Sequence, residues 1–269
     1  MLASALALAM VVCQLFPVGS SGMPFDVPGF HPMSSLALHL QREAASVTRD
    51  ANGRVETIFG LPANEVRMLL VPVDRQRGLP EGYVPPDLTF LGGRQVRALA
   101  RPNLLAMIEA ANRDNVELAP ISGYRPPGEQ ALAFDSAVWQ AMARDSLSQT
   151  DAEARMARFV APPGHSQHQL GTAIDFSTWD INYALQPVFA ETEAGRWLEQ
   201  NAWQFGFVLS YTRLGEERSG YAYEPWHYRW IGRELAAVLQ RDGYLNHPTL
   251  IADDYLRAAE EILAYEQVP

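Results

Sequence analysis

The stretch Pro163-Gly-His-Ser-Gln-His-Gln-Leu-Gly-Thr-Ala-Ile-Asp-Phe176 contains two residues, His168 and Asp175, that are suited to binding one metal ion. Their odd separation of seven positions would place the two side chains on opposite faces of an unbroken strand, so the chain must turn between them. Gly171 can supply that turn, because glycine readily adopts positive φ. The residues Thr172 to Phe176 have the pattern of a short buried strand that fixes Asp175. An imidazole and a carboxylate that face a common point indicate the start of a zinc site.

His227 is the histidine whose surroundings best suit a third ligand. It stands in the aromatic-rich run Tyr221-Ala-Tyr-Glu-Pro-Trp-His-Tyr-Arg-Trp230. Pro225 disfavours helical geometry at Glu224, so Glu224 and His227 do not share a helical face as they would in an H-E-x-x-H motif. We therefore expect an extended segment that ends in a turn, a helix after His227, and Glu224 beside the metal. Four further histidines are expected to be surface or hydrogen-bonded residues: His31, His39, His165 and His247.

Composition narrows the classes of function. The chain has 269 residues and 48% hydrophobic content, which is enough for a sizeable core. Its formal charge of -10 argues against a nucleic acid as the main partner, because binding phosphates requires a basic patch. Cys13 is the only cysteine, which excludes a disulfide framework and a thiolate metal site from the body of the chain. Any metal must therefore be held by histidines and carboxylates.

The N-terminal region is predicted to form two segments ahead of the main domain. Residues 1–22 contain a mostly apolar run, Leu2 to Phe16, and then small residues, as in an export signal with its cleavage region. The run is shorter than the roughly 20 residues that a membrane span needs, so we expect no strong membrane insertion beyond this possible leader. No Arg or Lys precedes the run, which leaves a buried helix as the alternative. Residues 23–65 are predicted to be an N-terminal extension, and residues 66–269 the main domain.

Arg125 is predicted to lie where a strand ends and a helix begins. Val116 to Ile121 has a strand pattern and leads through Gly123 to Arg125, and a helix is expected from about residue 128 to 144. A guanidinium held at such a junction is suited to gripping a carboxylate or an oxyanion. Further upstream, the sequence predicts a strand over Met68 to Val73 and an amphipathic helix over Gln95 to Asn112.

These motifs together resemble one known family. The pattern Ser166-x-His168-x-x-Gly171-x-Ala173-x-Asp175, preceded by Ser122-Gly-Tyr-Arg125 and followed by Glu224-x-Trp226-His227, is similar to that of the VanY-type D-alanyl-D-alanine carboxypeptidases. The similarity extends from about Leu70 to Leu256, which is most of the chain. It implies a zinc peptidase that removes the C-terminal D-alanine from the stem peptide of bacterial peptidoglycan, and it makes residues 66–269 a zinc carboxypeptidase domain.

The resemblance also implies a role for each site residue. One zinc ion would be held by the metal ligands His168, Asp175 and His227. Glu224 would be the catalytic base, taking a proton from the attacking water and returning one to the leaving amine. Arg125, helped by Gln130 and Ser166, would grip the substrate, either at its terminal carboxylate or at the developing oxyanion. We place two aromatic residues at the pocket wall as further substrate-binding residues: Tyr223 and Trp226.

Several related functions remain open from the sequence. An L,D-carboxypeptidase or an endopeptidase of the same family would use the same residues. A zinc-stabilised module that binds cell-wall peptides without cutting them is the alternative from another class, although such a module needs no general base like Glu224. We expect an exported protein, periplasmic or extracellular and associated with the cell envelope. The expected fold is α+β, with a small, mainly antiparallel sheet flanked by helices and the zinc cleft on one face.

Overall fold

The computed structural model describes residues 47–243 apart from Gly53 and Leu214, together with Leu245 and Glu261. Within these residues, strands form three antiparallel sheets with the orders β1-β2-β3, β4-β5 and β6-β7-β9-β8. The strands are β1 (Val47–Arg49), β2 (Val55–Ile58), β3 (Leu61–Pro62), β4 (Leu88–Leu91), β5 (Arg94–Arg97), β6 (Ala119–Ser122), β7 (Ala173–Ser177), β8 (Phe207–Leu209) and β9 (His227–Trp230).

Helices share the hydrophobic core with the four-stranded sheet, and several of them start at residues that favour a helix N-terminus. Thr192 and Ser148 each accept a backbone N–H of the first turn with their hydroxyl groups, and Pro127 opens the longest helix. The α-helices are α1 (Ala63–Leu70), α2 (Arg101–Arg113), α3 (Pro127–Asp145), α4 (Gln149–Met156), α5 (Glu193–Asn201), α6 (Glu216–Ser219) and α7 (Arg233–Arg241). Short 3-10 helices cover Gln167–Leu170, Trp179–Ile181, Pro187–Glu191 and Ala202–Phe205. The predicted α+β class with a small antiparallel sheet is confirmed.

The sheet has one face in the hydrophobic core and the other towards the candidate site. Ile174 and Phe176 of β7 and Tyr228 and Trp230 of β9 belong to the main buried cluster. Because side chains alternate along a strand, Asp175 of β7 and His227 of β9 lie on the opposite face. The same strands therefore supply both the core and the site.

Two predicted elements were wrong. Met68 to Val73 is not a strand: Met68 to Leu70 end helix α1, and the chain continues without regular structure. The first part of the predicted helix 95–112 is strand β5, which pairs with β4 through the two-residue turn Gly92-Gly93. Both glycines have positive φ, 52° and 82°, as a tight two-residue hairpin turn requires. The hairpin was missed because the apolar residues before α2 have the same helical spacing as those within it.

The chain after His227 also differs from the prediction. The extended segment begins at His227 as strand β9, and the next helix begins only at Arg233. Pairing of β9 with both β7 and β8 explains the difference, because a residue between two partner strands gains sheet hydrogen bonds that a helix would remove.

The described part of the predicted extension packs with the main domain. Ile58, Phe59 and Leu61 are buried in the same hydrophobic cluster as Val66 of α1. The division into an extension (23–65) and a main domain (66–269) stays a prediction, and the predicted leader, 1–22, lies outside the described residues. Among the residues described, no helix combines the length and the apolar character that crossing a membrane requires.

Candidate metal centre and substrate cleft

Three predicted ligands come together in the structure. One ligand atom each from His168, Asp175 and His227 lies within 4.8 Å of the others. The carboxylate lies between the rings, with Oδ2 of Asp175 3.1 Å from Nε2 of His168 and Oδ1 3.0 Å from Nδ1 of His227. All three side chains are buried. The described residues contain no other such group of potential metal ligands.

Strand register explains why Asp175 and His227 meet. The two residues are direct partners in the antiparallel pair of β7 and β9. Directly opposed residues on one face of a sheet have Cβ atoms about 5 Å apart, which is close enough for both side chains to bind one ion. A slip of one position would send one of these side chains into the core.

A short turn brings His168 to the same point. The 3-10 helix Gln167–Leu170 begins after Ser166, whose hydroxyl accepts the His168 backbone N–H, and ends at Gly171 with a φ of 69°. The predicted turn at Gly171 is thereby confirmed. Nδ1 of His168 lies 2.8 Å from the carbonyl oxygen of Gly123. A carbonyl only accepts, so Nδ1 carries a proton, and in the neutral ring Nε2 has the lone pair that a metal ion would take.

The electrostatics favour the forms that bind a metal. Burial alone would raise the pKa of Asp175, but the adjacent His168 and His227 rings lower it below the usual range. Burial lowers the pKa of His227, against the opposing effect of the Asp175 carboxylate. An ionised carboxylate and a neutral imidazole are the states in which these groups bind metals.

Glu224 lies beside the cluster in a tight turn. Its carboxylate Oε2 is 3.7 Å from Nδ1 of His227, and its side chain is 15% exposed. The turn is held because Glu224 N–H donates to Tyr211 and the Glu224 carbonyl accepts the His227 N–H. Burial and the nearby Asp175 charge raise the pKa of Glu224 well above its usual range, while Arg125 acts in the opposite direction.

Arg125 faces the cleft from the strand-helix junction where it was predicted. Its backbone N–H donates to the His168 carbonyl, which ties the two motifs together. Its guanidinium donates to Oε1 of Gln130 at 2.9 Å and to Oγ of Ser122 at 3.0 Å. Gln130 is itself held by a hydrogen bond to the carbonyl of Ala161. The guanidinium is thus oriented by two oxygen acceptors.

A cleft of about 740 Å³ contains all the predicted site residues. Tyr211 and Tyr221 also line it, with ring centroids 5.1 Å apart, and the Tyr211 ring lies 4.7 Å from that of His227. The predicted residues in the lining are Arg125, Gln130, Ser166, His168, Asp175, Tyr223, Glu224, Trp226 and His227. The residues that sequence reasoning missed are Ala133, Phe159, Val160, Ala161, Leu185, Pro187, Tyr211, Tyr221 and Ala222.

The missed residues form most of the apolar wall. Phe159 and Val160 follow helix α4, while Leu185 and Pro187 lie in the connection after β7. Neither segment carries a chemical motif, so only the packing of these segments around the metal cluster reveals their place. Tyr221 could have been found, since it begins the aromatic run that contains Glu224 and His227.

The cluster fits a zinc ion. Two imidazoles and one carboxylate form a donor set that suits zinc, and a catalytic zinc site has three protein ligands and one open position. The separations of 3.0 and 3.1 Å between ligand atoms are near the roughly 3.4 Å expected between two ligands of a tetrahedral site with bonds of about 2.1 Å. The three ligand atoms all lie within 4.8 Å of one another, so binding of one ion requires only small adjustments of the side chains.

Comparison with known proteins identifies the family. A family model described as VanY, D-alanyl-D-alanine carboxypeptidase, matches residues 93–233, just over half of the chain. A D-alanyl-D-alanine carboxypeptidase of Enterococcus faecalis is 32% identical over 188 residues, which cover 68% of each protein. A buried His-Asp-His cluster with an acid beside it has the composition of a catalytic metal centre. The chain belongs to the VanY family of D-alanyl-D-alanine carboxypeptidases, which confirms the resemblance seen in the sequence.

Solved structures show the same fold. VanYB in complex with D-alanine-D-alanine is 32% identical, with a TM-score of 0.60 over 70% of this chain and 97% of that chain. A mutant of VanY from a VanB-type cassette, in complex with Zn(II), is also 32% identical, with a TM-score of 0.59 over 70% and 99% of the two chains. The LD-carboxypeptidase LdcB is 32% identical, with a TM-score of 0.58 over 69% of this chain and 84% of that chain.

The similarity covers only part of another relative. The Bacillus subtilis protein YodJ is 35% identical over 182 residues. This region is 64% of the present chain and 63% of YodJ, slightly less than two thirds of its length.

Proposed function

We propose that this protein is a zinc-dependent D,D-carboxypeptidase that removes the C-terminal D-alanine from peptidoglycan stem peptides. The observation that carries the proposal is the buried cluster of His168, Asp175 and His227 with Glu224 beside it in a cleft. The zinc complex of VanY and the D-alanine-D-alanine complex of VanYB support both the cofactor and the substrate.

The three metal ligands and Glu224 have different roles in the proposed reaction. His168, Asp175 and His227 would hold the ion, which when bound lowers the pKa of water and polarises a carbonyl. Glu224 would take a proton from the attacking water and later give one to the amine of the departing D-alanine. Its raised pKa suits this use, because a carboxyl group that is not too acidic can both accept and return a proton.

Arg125 would bind the substrate, and two uses fit its place in the cleft. A guanidinium already oriented by Gln130 and Ser122 can pair with the free terminal carboxylate, which would limit cleavage to the last residue. It can instead stabilise the developing oxyanion.

Comparing the activity of the Arg125→Met variant on a peptide with a free C-terminus and on its amidated form separates these two roles. A carboxylate grip predicts a raised KM for the free peptide alone, whereas oxyanion stabilisation predicts a lower kcat for both.

Ser166, Tyr223 and Trp226 are proposed to complete the substrate site. All three line the cleft together with Arg125. The ring of Tyr223 is covered by the guanidinium of Arg213, whose Cζ lies 4.3 Å from the ring centroid. That contact holds the phenol ring in place at the cleft wall.

The test is mass spectrometry of peptides incubated with the zinc-loaded protein. A stem pentapeptide that ends in D-Ala-D-Ala should lose the mass of one alanine, and the matching tetrapeptide should remain intact. Cleavage of the tetrapeptide alone would favour the L,D alternative, for which the likeness to the LD-carboxypeptidase LdcB is the supporting observation. Binding without cleavage of either peptide would instead support a non-catalytic module, and internal cuts an endopeptidase.

We further propose that the protein is exported and acts in the cell envelope, in the periplasm or outside the cell. The substrate is the support for this location, because peptidoglycan lies beyond the cytoplasmic membrane. The apolar run in residues 1–22 would be the leader. N-terminal sequencing of the protein recovered from the envelope should show a start close to residues 18–22, and an intact Met1 on that material would contradict the cleavage.

A further inference from the structure

Gln167 is buried next to the metal cluster and contacts one of its histidines. It opens the 3-10 helix that carries His168, and its side chain is 0% exposed. Its amide oxygen Oε1 lies 3.1 Å from Nε2 of His227. The amide nitrogen of Gln167 has no hydrogen-bond partner in the described part of the chain.

The contact favours the tautomer of His227 that a metal needs. An amide oxygen only accepts, so the Nε2–H of His227 donates to Gln167, and in the neutral ring the lone pair is then on Nδ1. Nδ1 is the atom that faces Asp175 at 3.0 Å. The ring plane is set by the same contact, at 88° to that of His168.

His168 is oriented by a similar hydrogen bond, but at its other ring nitrogen. The Gly123 carbonyl accepts a hydrogen bond from its Nδ1–H, and Nε2 is the ring nitrogen that faces the cluster. The two rings therefore enter the site as different tautomers, each fixed by an oxygen outside the cluster. A metal-binding histidine commonly depends on such a partner for its tautomer and ring orientation.

Packing alone gives no reason for an amide at position 167. A buried amide with an unsatisfied N–H lowers stability, and an apolar side chain of similar size would avoid that cost. Gln169 provides the contrast, because it is buried in the same helix but its amide nitrogen donates to the carbonyl of Tyr83 rather than to a member of the cluster.

We propose that Gln167 is a positioning residue that prepares His227 for the metal by accepting a hydrogen bond from its Nε2–H. The proposal rests on the proposed function only in requiring that the cluster bind zinc. Gln167 acts on the site through the His227 ring and takes no direct part in the reaction.

Zinc affinity of three variants tests the proposal, with competition against a chromophoric chelator as the readout. Gln167→Met removes the acceptor while keeping the size of the side chain, and should weaken zinc binding by about 10- to 100-fold. Gln167→Glu restores an acceptor oxygen and should return the affinity to within about threefold of the native protein, or make it tighter. The control Gln169→Met should bind zinc as the native protein does.

The proton itself can be observed by NMR of the zinc-loaded protein labelled with ¹⁵N-histidine. The native protein should show a proton on Nε2 of His227 that exchanges slowly with water, and Gln167→Met should lose that protection. Native zinc affinity in Gln167→Met, or an equal loss in Gln169→Met, would overturn the proposal, as would a proton on Nδ1.

None of these readouts uses peptide cleavage. The role of Gln167 can therefore fail while the peptidase activity stands, and the reverse also holds. Circular dichroism of each variant separates a loss of affinity from a loss of fold. If Gln167→Met does not fold, the NMR signature of the native protein and the affinity of Gln167→Glu still decide the question.

Discussion

Asp175 is the residue on which the metal cluster depends, because its carboxylate lies between the two imidazoles and contacts both. Its carboxylate is buried, and burial would favour the neutral acid if the two rings were absent. The rings reverse that preference and keep the group ionised. Burial raises the pKa of Glu224, and the Asp175 carboxylate raises it further, so Asp175 influences both the ligand set and the base.

Replacing Glu224 should abolish most of the turnover without releasing the metal. Glu224→Ala should lower kcat by about 10²- to 10⁴-fold, the usual effect of removing a general acid-base, because the only other carboxylate in the described lining of the cleft is the proposed ligand Asp175. The bound zinc content should stay unchanged, since Glu224 is not a proposed ligand. Metal analysis by mass spectrometry and the peptide assay measure the two effects on one preparation.

Glu217→Gln is the matched control, as Glu217 is an exposed acid of helix α6 outside the cleft. It should retain both zinc and turnover. Peptide hydrolysis at the native rate by Glu224→Ala would show that another group is the base.

At the scale of elements, the turn at Gly171 joins the helix of His168 to the strand of Asp175. Its φ of 69° is disfavoured for residues with a Cβ, and an added Cβ would lie 3.1 Å from Cδ2 of Leu88. Gly171→Ala should therefore destabilise the protein by about 1–3 kcal/mol and weaken zinc binding, because strain at this turn displaces His168. Urea denaturation and chelator competition are the measurements.

Gly128→Ala is the control for that substitution. A Cβ at Gly128, in the first turn of α3, meets no atom within 4 Å. Alanine should be neutral there or stabilising by up to about 1 kcal/mol, because it restricts the unfolded chain. An equal loss of stability in both variants would show that the turn conformation is not the cause.

Arg97 ties strand β5 to helix α1 and to the loop before β4. It is fully buried and pairs with Glu65 at 2.7 Å and with Asp87. Arg97→Met should cost about 2–4 kcal/mol, because it leaves two largely covered carboxylates without their cation. Urea denaturation of the variant and the native protein measures the loss.

Arg94→Met on the same strand is the comparison for Arg97. Arg94 is exposed and forms no salt bridge with any residue that the structure describes. Its replacement should change stability by no more than about 0.5 kcal/mol. A small effect in both variants would mean that the buried ion pairs contribute little net free energy.

At the scale of the whole molecule, zinc should stabilise the fold. The ligands come from two strands and a short helix that are assembled only in the folded state, so the ion binds the native chain preferentially. Free zinc at 1,000 times its Kd should add about 4 kcal/mol, and raise Tm by roughly 8–16 °C for a domain of this size. Differential scanning calorimetry with and without a chelator tests this.

The zinc effect should be absent in His168→Ala and should disappear in acid. Both imidazoles must be neutral and Asp175 ionised to bind the ion, so falling pH protonates the ligands and releases it. His165→Ala is the control: its ring lies against the Asp74 carbonyl and takes no part in the cluster. A Tm of His168→Ala that rises with zinc as in the native protein would place the ion elsewhere.

More of the site than of the fold could be predicted from the sequence, because the motifs of the site are local. The spacing around Gly171 predicts a turn and a buried strand from neighbouring residues alone, and Pro225 excludes a helix at Glu224. The hairpin of β4 and β5 was missed although Gly92-Gly93 is a recognisable signal, because the apolar spacing of the following helix extends across Val96.

By itself, the sequence determined which side chains bear the chemistry and the local turns that present them, since these depend on residue type and short spacing. Tertiary structure alone decided the pairing of Asp175 with His227, the contact between Gln167 and His227, and the apolar wall of the cleft. These depend on strand register and on the packing of segments 50 or more positions apart. Such contacts are chosen by the free energy of the whole core, which no local stretch of residues specifies.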